Sequence, residues 1–253
     1  MVLALLDAAL GVALTAALAV AAVATGALTR SAGAIAFGFG ALIVALGGFP
    51  YLALLILFVV ASVLATRFRF DEKRRRNVHE GTHGERGVSN VLAHILLPTG
   101  LVLLAALVPR ALPGTALAVL YTAALAFGAS DTFASEFGVL AGRARSILTL
   151  RPVEPGTNGG VSVIGELWAV VGALTTGVVA LALFAVFLGP RLPVGAFLIV
   201  APFAGFAGCQ VDSVLGETLE NRRMLTKGST NFLGMLAAVL AGAGLLALSG
   251  GWG

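Results

Sequence analysis

Charge is scarce in this chain. Asp, Glu, Lys and Arg make up 11% of its 253 residues, less than half of the roughly 25% found in a soluble domain. Hydrophobic residues make up 58%, and the mean hydropathy is +1.01. This excludes an ordinary soluble fold and leaves a polytopic integral membrane protein. Cysteine is nearly absent: Cys209 stands alone, so no intrachain disulfide can form and the redox compartment leaves no mark on the sequence. No basic stretch precedes the apolar first 30 residues and no distinct cleavage site closes them, so they read as a first span and not as a removed signal peptide. A formal charge of +4 and a pI near 10.0 would point to nucleic acid in a soluble protein. Here the basic residues fall in loops, where they set topology and meet anionic lipid or phosphate, and no nucleic-acid partner is expected.

What the chain has instead is long apolar runs threaded with small residues, 33 of them glycine. Runs bounded by charges or turn residues predict spans near 8–28, 31–48, 50–66, 89–108, 114–137, 161–188, 193–217 and 229–249. The fold class is therefore all-α, one membrane domain over 1–253 with about eight (seven or eight) transmembrane helices. The small residues let those helices approach closely. Loops are expected near 67–88, 141–160 and 218–228. The run 31–48 is short for a bilayer of about 30 Å, so 31–66 reads either as two spans or as one span and a re-entrant segment, broken at Gly47-Gly48-Phe49-Pro50.

Eight spans put fourteen Lys and Arg residues on one side and only Arg110 and Arg191 on the other. The positive-inside rule then predicts both termini outside, a cell-membrane protein, and the basic loops in the cytoplasm. The same arrangement brings the ends carrying the acidic stretches below to the cytoplasmic face.

Those stretches are Asp131-Thr-Phe-Ala-Ser-Glu136 and, eighty-one residues later, Asp212-Ser-Val-Leu-Gly-Glu217. Acids at membrane depth need a partner, and a metal ion or ligand is the usual one. Oxygen ligands of this kind suit Mg²⁺, so Asp131, Glu136, Asp212 and Glu217 are the expected metal and catalytic set, with Ser135 one turn from Asp131. Pro155-Gly156-Thr157-Asn158-Gly159-Gly160 precedes the sixth span, where backbone N–H groups and the helix dipole favour an anion. No Gly-Lys-Ser/Thr follows, which excludes a Walker A loop. Glu166, two turns into that span, reads either as part of the site or as facing a polar partner in the bundle. His79-Glu80-Gly-Thr-His83 fits the zinc-protease pattern letter for letter, but Gly81 and Gly84 are costly in a helix, so the segment reads as a loop. Asn90 and His94 share a helix face and are expected to form a polar network. Lys73-Arg-Arg-Arg76 reads as a topology and headgroup anchor.

Asp131-Thr-Phe-Ala-Ser-Glu136, the Pro-Gly-Thr-Asn-Gly-Gly-Val-Ser run at 155–162 and Asp212-Ser-Val-Leu-Gly216 resemble the membrane family that contains plant phytyl-phosphate kinase and transmembrane protein nineteen. The similarity runs from about residue 1 to the last span. It implies a prenyl-phosphate kinase of the phytyl or geranylgeranyl type, making the diphosphate with CTP as donor. A nucleoside triphosphate, a prenyl-phosphate lipid and membrane lipid are then the partners, and a second copy of the chain stays open as a homo-oligomeric one. In that chemistry positioning and charge neutralisation do most of the work: the four acids hold Mg²⁺, the 156–160 loop cradles phosphates, and Arg86, Arg143 and Lys227 are among the cations that offset charge. The Asp-Thr-x-Ala core is also similar to that of phosphatidate cytidylyltransferases, though their longer signature is absent, so a CDP-lipid-forming enzyme is one alternative. An ion-coupled transporter is the other, because paired acids in a pseudo-repeat also suit transport.

Overall fold

The computed structural model of the chain describes residues 2–81, 83–189 and 192–250. Arg191 of the sparse basic set and Thr82 of the His-Glu-x-x-His segment lie outside them. The helices are α1 (Val2–Ala24), α2 (Arg30–Gly47), α3 (Phe49–Arg67), a short α4 (Phe70–Arg75), α5 (Val88–Leu107), α6 (Gly114–Gly138), α7 (Val163–Leu188), α8 (Ala201–Leu215) and α9 (Lys227–Leu248). Seven of the described helical segments are long and apolar enough to cross a membrane, and α1 contributes a shorter apolar stretch at Ala9–Ala24. The chain is thus a polytopic all-α membrane protein. The ambiguity at 31–66 resolves into two crossing-length helices. They are joined through Gly48, whose φ of 90° lies where a side chain is rarely tolerated.

Helix starts follow the local chemistry. Thr29 and Ser162 cap α2 and α7, accepting from the backbone N–H groups of Ala32 and Gly165 at 3.3 and 3.0 Å. Thr226 and Ser229 form a reciprocal capping box on α9. Pro202 falls inside the long run Ala196–Glu220; it cannot donate and crowds the carbonyl four residues back, and the turn before it, Ala196–Val200, widens to π-helical geometry. A second π-helical turn, Gly216–Glu220, extends α8.

The bundle is built round α6, whose residues Ala116 to Ser130 are buried without a break. Helices α3, α5, α7, α8 and α9 all pack on it, and small residues set how closely. A Cβ on Gly205 of α8 would sit 2.7 Å from the backbone of Phe127, and one on Gly172 of α7 would sit 2.7 Å from the carbonyl oxygen of Ala129, so these contacts are backbone to backbone. Tyr121 on α6 donates to the carbonyl of Tyr51 on α3 at 3.0 Å. The outward faces stay apolar, with Leu167, Val178, Val186 and Leu240 exposed, as a surface bathed in lipid must be.

One feature of the 141–160 segment was not expected. It folds into a three-stranded antiparallel sheet, β1 (Ala144–Ser146), β2 (Pro152–Val153) and β3 (Gly160–Val161), in the order β2-β1-β3. The glycine run is the connection between β2 and β3, and β3 leads directly into α7.

Candidate functional site

Several connecting segments meet at one end of the bundle. Backbone bonds from Thr29 N–H to the Arg86 carbonyl and from Arg86 N–H to the Ala27 carbonyl, at 3.2 and 2.9 Å, tie the α1–α2 turn to the segment before α5. Arg67 Nη2 donates to the Thr25 carbonyl at 2.6 Å. Asn158 in the glycine run donates to Glu220 Oε1 at 3.0 Å. Behind this layer lies a polar cavity of about 500 Å³, within the range of small-molecule sites.

Asp131 on α6 and Asp212 on α8 both line it, with Asn231 of α9 between them. The Asn231 amide is buried. In one orientation its nitrogen lies 3.4 Å from Asp131 Oδ2. In the flipped orientation, which satisfies both amide atoms, it donates to Asp212 Oδ2 at 3.2 Å and to the Lys227 carbonyl at 2.9 Å. Two carboxylates from different helices therefore sit within reach of one amide.

The other two acids of the expected set are occupied elsewhere. Glu136 touches the cavity wall, but its Oε2 takes a bond of 2.6 Å from Lys73 Nζ. That ammonium is fully buried and also donates to the carbonyls of Ala65 and Thr66, both at 2.9 Å. All three of its protons are used, two of them on the open carbonyls at the end of α3. Lys73 is thus an internal staple and not the headgroup anchor read from the basic run, and Glu136 is its counter-ion. Glu217 accepts from the Ser146 hydroxyl at 2.6 Å and the Leu148 N–H at 3.3 Å, so it fastens the small sheet to α8. Among the described residues no group of three or more His, Cys, Asp or Glu side chains is arranged to hold a metal. The four acids do not assemble; two of them do.

Gly156, Thr157, Asn158, Gly159 and Gly160 all line the cavity, as does Ser135. Gly156 and Gly159 have φ of 87° and 76°, and a Cβ on Gly159 would lie 2.3 Å from that of Glu217. Only glycine permits this backbone beside α8. The N–H groups of Thr157 and Gly160 are used within the run, on the carbonyls of Glu154 and Thr157. Glu166 lines the cavity and accepts from Gln210 at 2.9 Å, so it has the polar partner in the bundle that was one of the two roles read for it. Lys227 is exposed at the mouth and donates to Glu80 at 2.6 Å. Burial opposes ionisation of Glu80, but Lys227 and Arg86 outweigh it and hold the carboxyl below its ordinary value of 4.5. The His79–His83 segment is non-helical over its described residues, as a loop reading requires. Arg143 is exposed and does not line the cavity.

Arg86 lies outside the cavity wall. It is buried, donating to Asn90 Oδ1 at 2.9 Å and Thr66 Oγ1 at 3.2 Å; burial lowers its pKa from the ordinary value, and Glu136, Glu80 and Asp131 pull it back up. The expected Asn90–His94 network exists: His94 Nδ1 donates to the Asn90 carbonyl at 2.9 Å. Sequence reasoning passed over Asn231 and Gln210. The signal for Asn231 was the polar run Thr226 to Asn231 at the start of an otherwise apolar helix.

Comparison with known proteins bears on this arrangement. The family model described as "Integral membrane protein DUF92" matches residues 13–230. An uncharacterized membrane protein of Methanocaldococcus jannaschii is 32% identical over 199 residues, covering 77% of this chain and 76% of that one. Protein PGR of Arabidopsis thaliana is 32% identical over 188 residues, 68% of this chain and 65% of the plant protein. An uncharacterized membrane protein of a Synechocystis strain is 32% identical over 202 residues, 77% and 74% of the two chains. No solved structure matches. The chain belongs to the DUF92 family of integral membrane proteins.

Proposed function

We propose that this DUF92 protein is a lipid-monophosphate phosphotransferase, a CTP-dependent prenyl-phosphate kinase working at the cytoplasmic face of the cell membrane. The observation that carries the reading is the convergence of Asp131 and Asp212, from α6 and α8, on one cavity bordered by the glycine run. Two carboxylates with room for phosphate oxygens fit Mg²⁺, which takes one or two carboxylates and completes its shell with substrate phosphates and water. When bound, the ion would neutralise charge on the nucleotide phosphates. Asn231 lies between the two carboxylates and bonds one or the other according to its amide orientation, and Lys227, paired with Glu80, brings a cation to the mouth where a triphosphate tail would enter. The glycine run borders the cavity, and its amides not used internally would be available to an incoming anion.

In the reaction, an oxygen of the lipid phosphate attacks the γ-phosphorus of the nucleotide. A new phosphorus–oxygen bond forms as the bond to the β–γ bridging oxygen breaks, and its electron pair leaves on the nucleoside diphosphate. The acceptor oxygen is already ionised, so no general base is required, and the residues of the site position and neutralise. The similarity of the two acidic stretches and the glycine run to the family of phytyl-phosphate kinase supports the substrate class.

The test is incubation of purified protein with Mg²⁺, CTP or ATP, and a panel of prenyl monophosphates. The expected products are a prenyl diphosphate and CDP. Pyrophosphate release would instead identify cytidylyl transfer, and ion-driven uptake into proteoliposomes without nucleotide would identify a transporter.

A further inference from the structure

A second cavity, of about 320 Å³, opens between α1, α2, α3 and α5. Its lining along α3 runs from Leu52 to Leu64, about 18 Å at the rise of a helix and more than half of a hydrocarbon core of about 30 Å. Most of that length is apolar, formed by residues such as Leu52, Leu55, Ile56 and Val59, with Gly40 of α2 opposite. At the end nearest the functional site the lining changes to Ser62, Arg86, Asn90 and His94.

Three polar atoms at that end are buried without a partner: Ser62 Oγ, Arg86 Nε and His94 Nε2. Their residues are each more than nine-tenths buried. An unsatisfied buried polar atom costs about 1–3 kcal/mol, and three on residues that line one apolar groove favour a polar group at that end. Arg86 adds a positive charge, with Asn90 and Thr66 as its hydrogen-bond acceptors, and so favours an anionic group at this end. The groove's polar end also adjoins α6. His94 stacks on Phe58 and Phe127, and a Cβ on Gly128 would meet His94 at 3.1 Å. Gly128 and Asp131 are one turn apart on the same side of α6.

We propose that this groove seats the single apolar chain of a lipid monophosphate, its tail toward Leu52 and Gly40 and its phosphate toward Arg86 and His94. The volume is at the small end of ligand sites, which suits one chain and not two. The seat rests on the phosphotransferase reading for the identity of its lipid, and it adds where the acceptor lies: beside Gly128 of α6, one turn from the Asp131 that lines the nucleotide cavity.

The experiment is photolabelling of purified full-length protein with a geranylgeranyl monophosphate that carries a diazirine at the far end of its chain, without nucleotide. Label is expected on peptides around Gly40 and Leu52. Unlabelled geranylgeranyl monophosphate should compete at least about tenfold better than geranylgeraniol, the difference expected of one charged hydrogen bond. Ala36→Phe and Val59→Phe, each adding bulk at a half-buried lining position, should each abolish the label while leaving the melting temperature near that of the wild type. Label on α7 to α9, label spread over all lipid-facing peptides, or equal competition by the alcohol would overturn the seat. Because no turnover is needed, labelling here without any diphosphate product would leave the seat standing and overturn the kinase, and product with labelling elsewhere would do the reverse.

Discussion

Asp131 and Glu136 are five residues apart on α6, which puts them about 140° apart around the helix axis. They cannot both face one ion, and the same spacing separates Asp212 from Glu217. The pattern of two matching acidic pairs was legible in the sequence; that each pair splits into one cavity carboxylate and one structural carboxylate was not, because the partners Lys73 and Ser146 lie 63 and 71 residues from their acids. The two kinds of acid should respond differently to substitution. Asp131→Asn and Asp212→Asn are each expected to abolish Mg²⁺-dependent turnover with melting temperatures within a few degrees of wild type, and the double variant should lose little more than either single one, as groups acting as a unit do. Additive and mainly stability-related losses would show two independent structural acids. Glu136→Gln removes the counter-ion of a buried ammonium and should destabilise by about 3–5 kcal/mol. Pairing it with Lys73→Met should recover a large part of that loss. A Glu136→Gln protein of normal stability and no activity would restore Glu136 to the ion site.

At the scale of elements, the helices were readable because hydropathy runs and breaking residues mark them over some twenty positions each. The small sheet was not, since strands of two or three residues are too short to show alternation. Its place depends on contacts with α8 that no local pattern announces. The glycine run was found by composition, yet what holds it is the fit of Gly159 against Glu217. Gly159→Val combines a forbidden φ with a clash on α8, and it should raise the nucleotide KM severalfold while the far end of the bundle keeps its stability. Unchanged kinetics in a folded variant would reduce the run to a connector. Glu217→Gln weakens the bonds to Ser146 and Leu148 and should expose the 144–153 segment to protease more readily than in wild type, without altering the helical circular dichroism.

At the scale of the molecule, the fourteen-to-two distribution of basic residues predicts that cysteines introduced at Arg74 and Arg110 label from opposite sides of the membrane; labelling from the same side would overturn the orientation. The Glu80–Lys227 pair joins the segment before α5 to the start of α9 across the mouth of the site. Because the carboxyl of Glu80 is depressed in the folded protein, its contribution is present above its ordinary pKa of 4.5 and is lost as the pH falls through the folded value. Melting temperature should therefore fall as the pH drops below the ordinary carboxyl value of 4.5 in wild type, and less steeply in Glu80→Gln. The burial of α6 reaches back to how the chain is made. Of the seven crossing-length segments it has the lowest hydropathy and the largest buried share, so the helix that carries Asp131 is the one least able to partition into lipid by itself. A nascent chain halted after α6 should leave that segment poorly inserted, and its integration should await the strongly apolar α7. The translocon must then hold the middle of the chain until its neighbours arrive, and the order of synthesis becomes a condition for assembling the site.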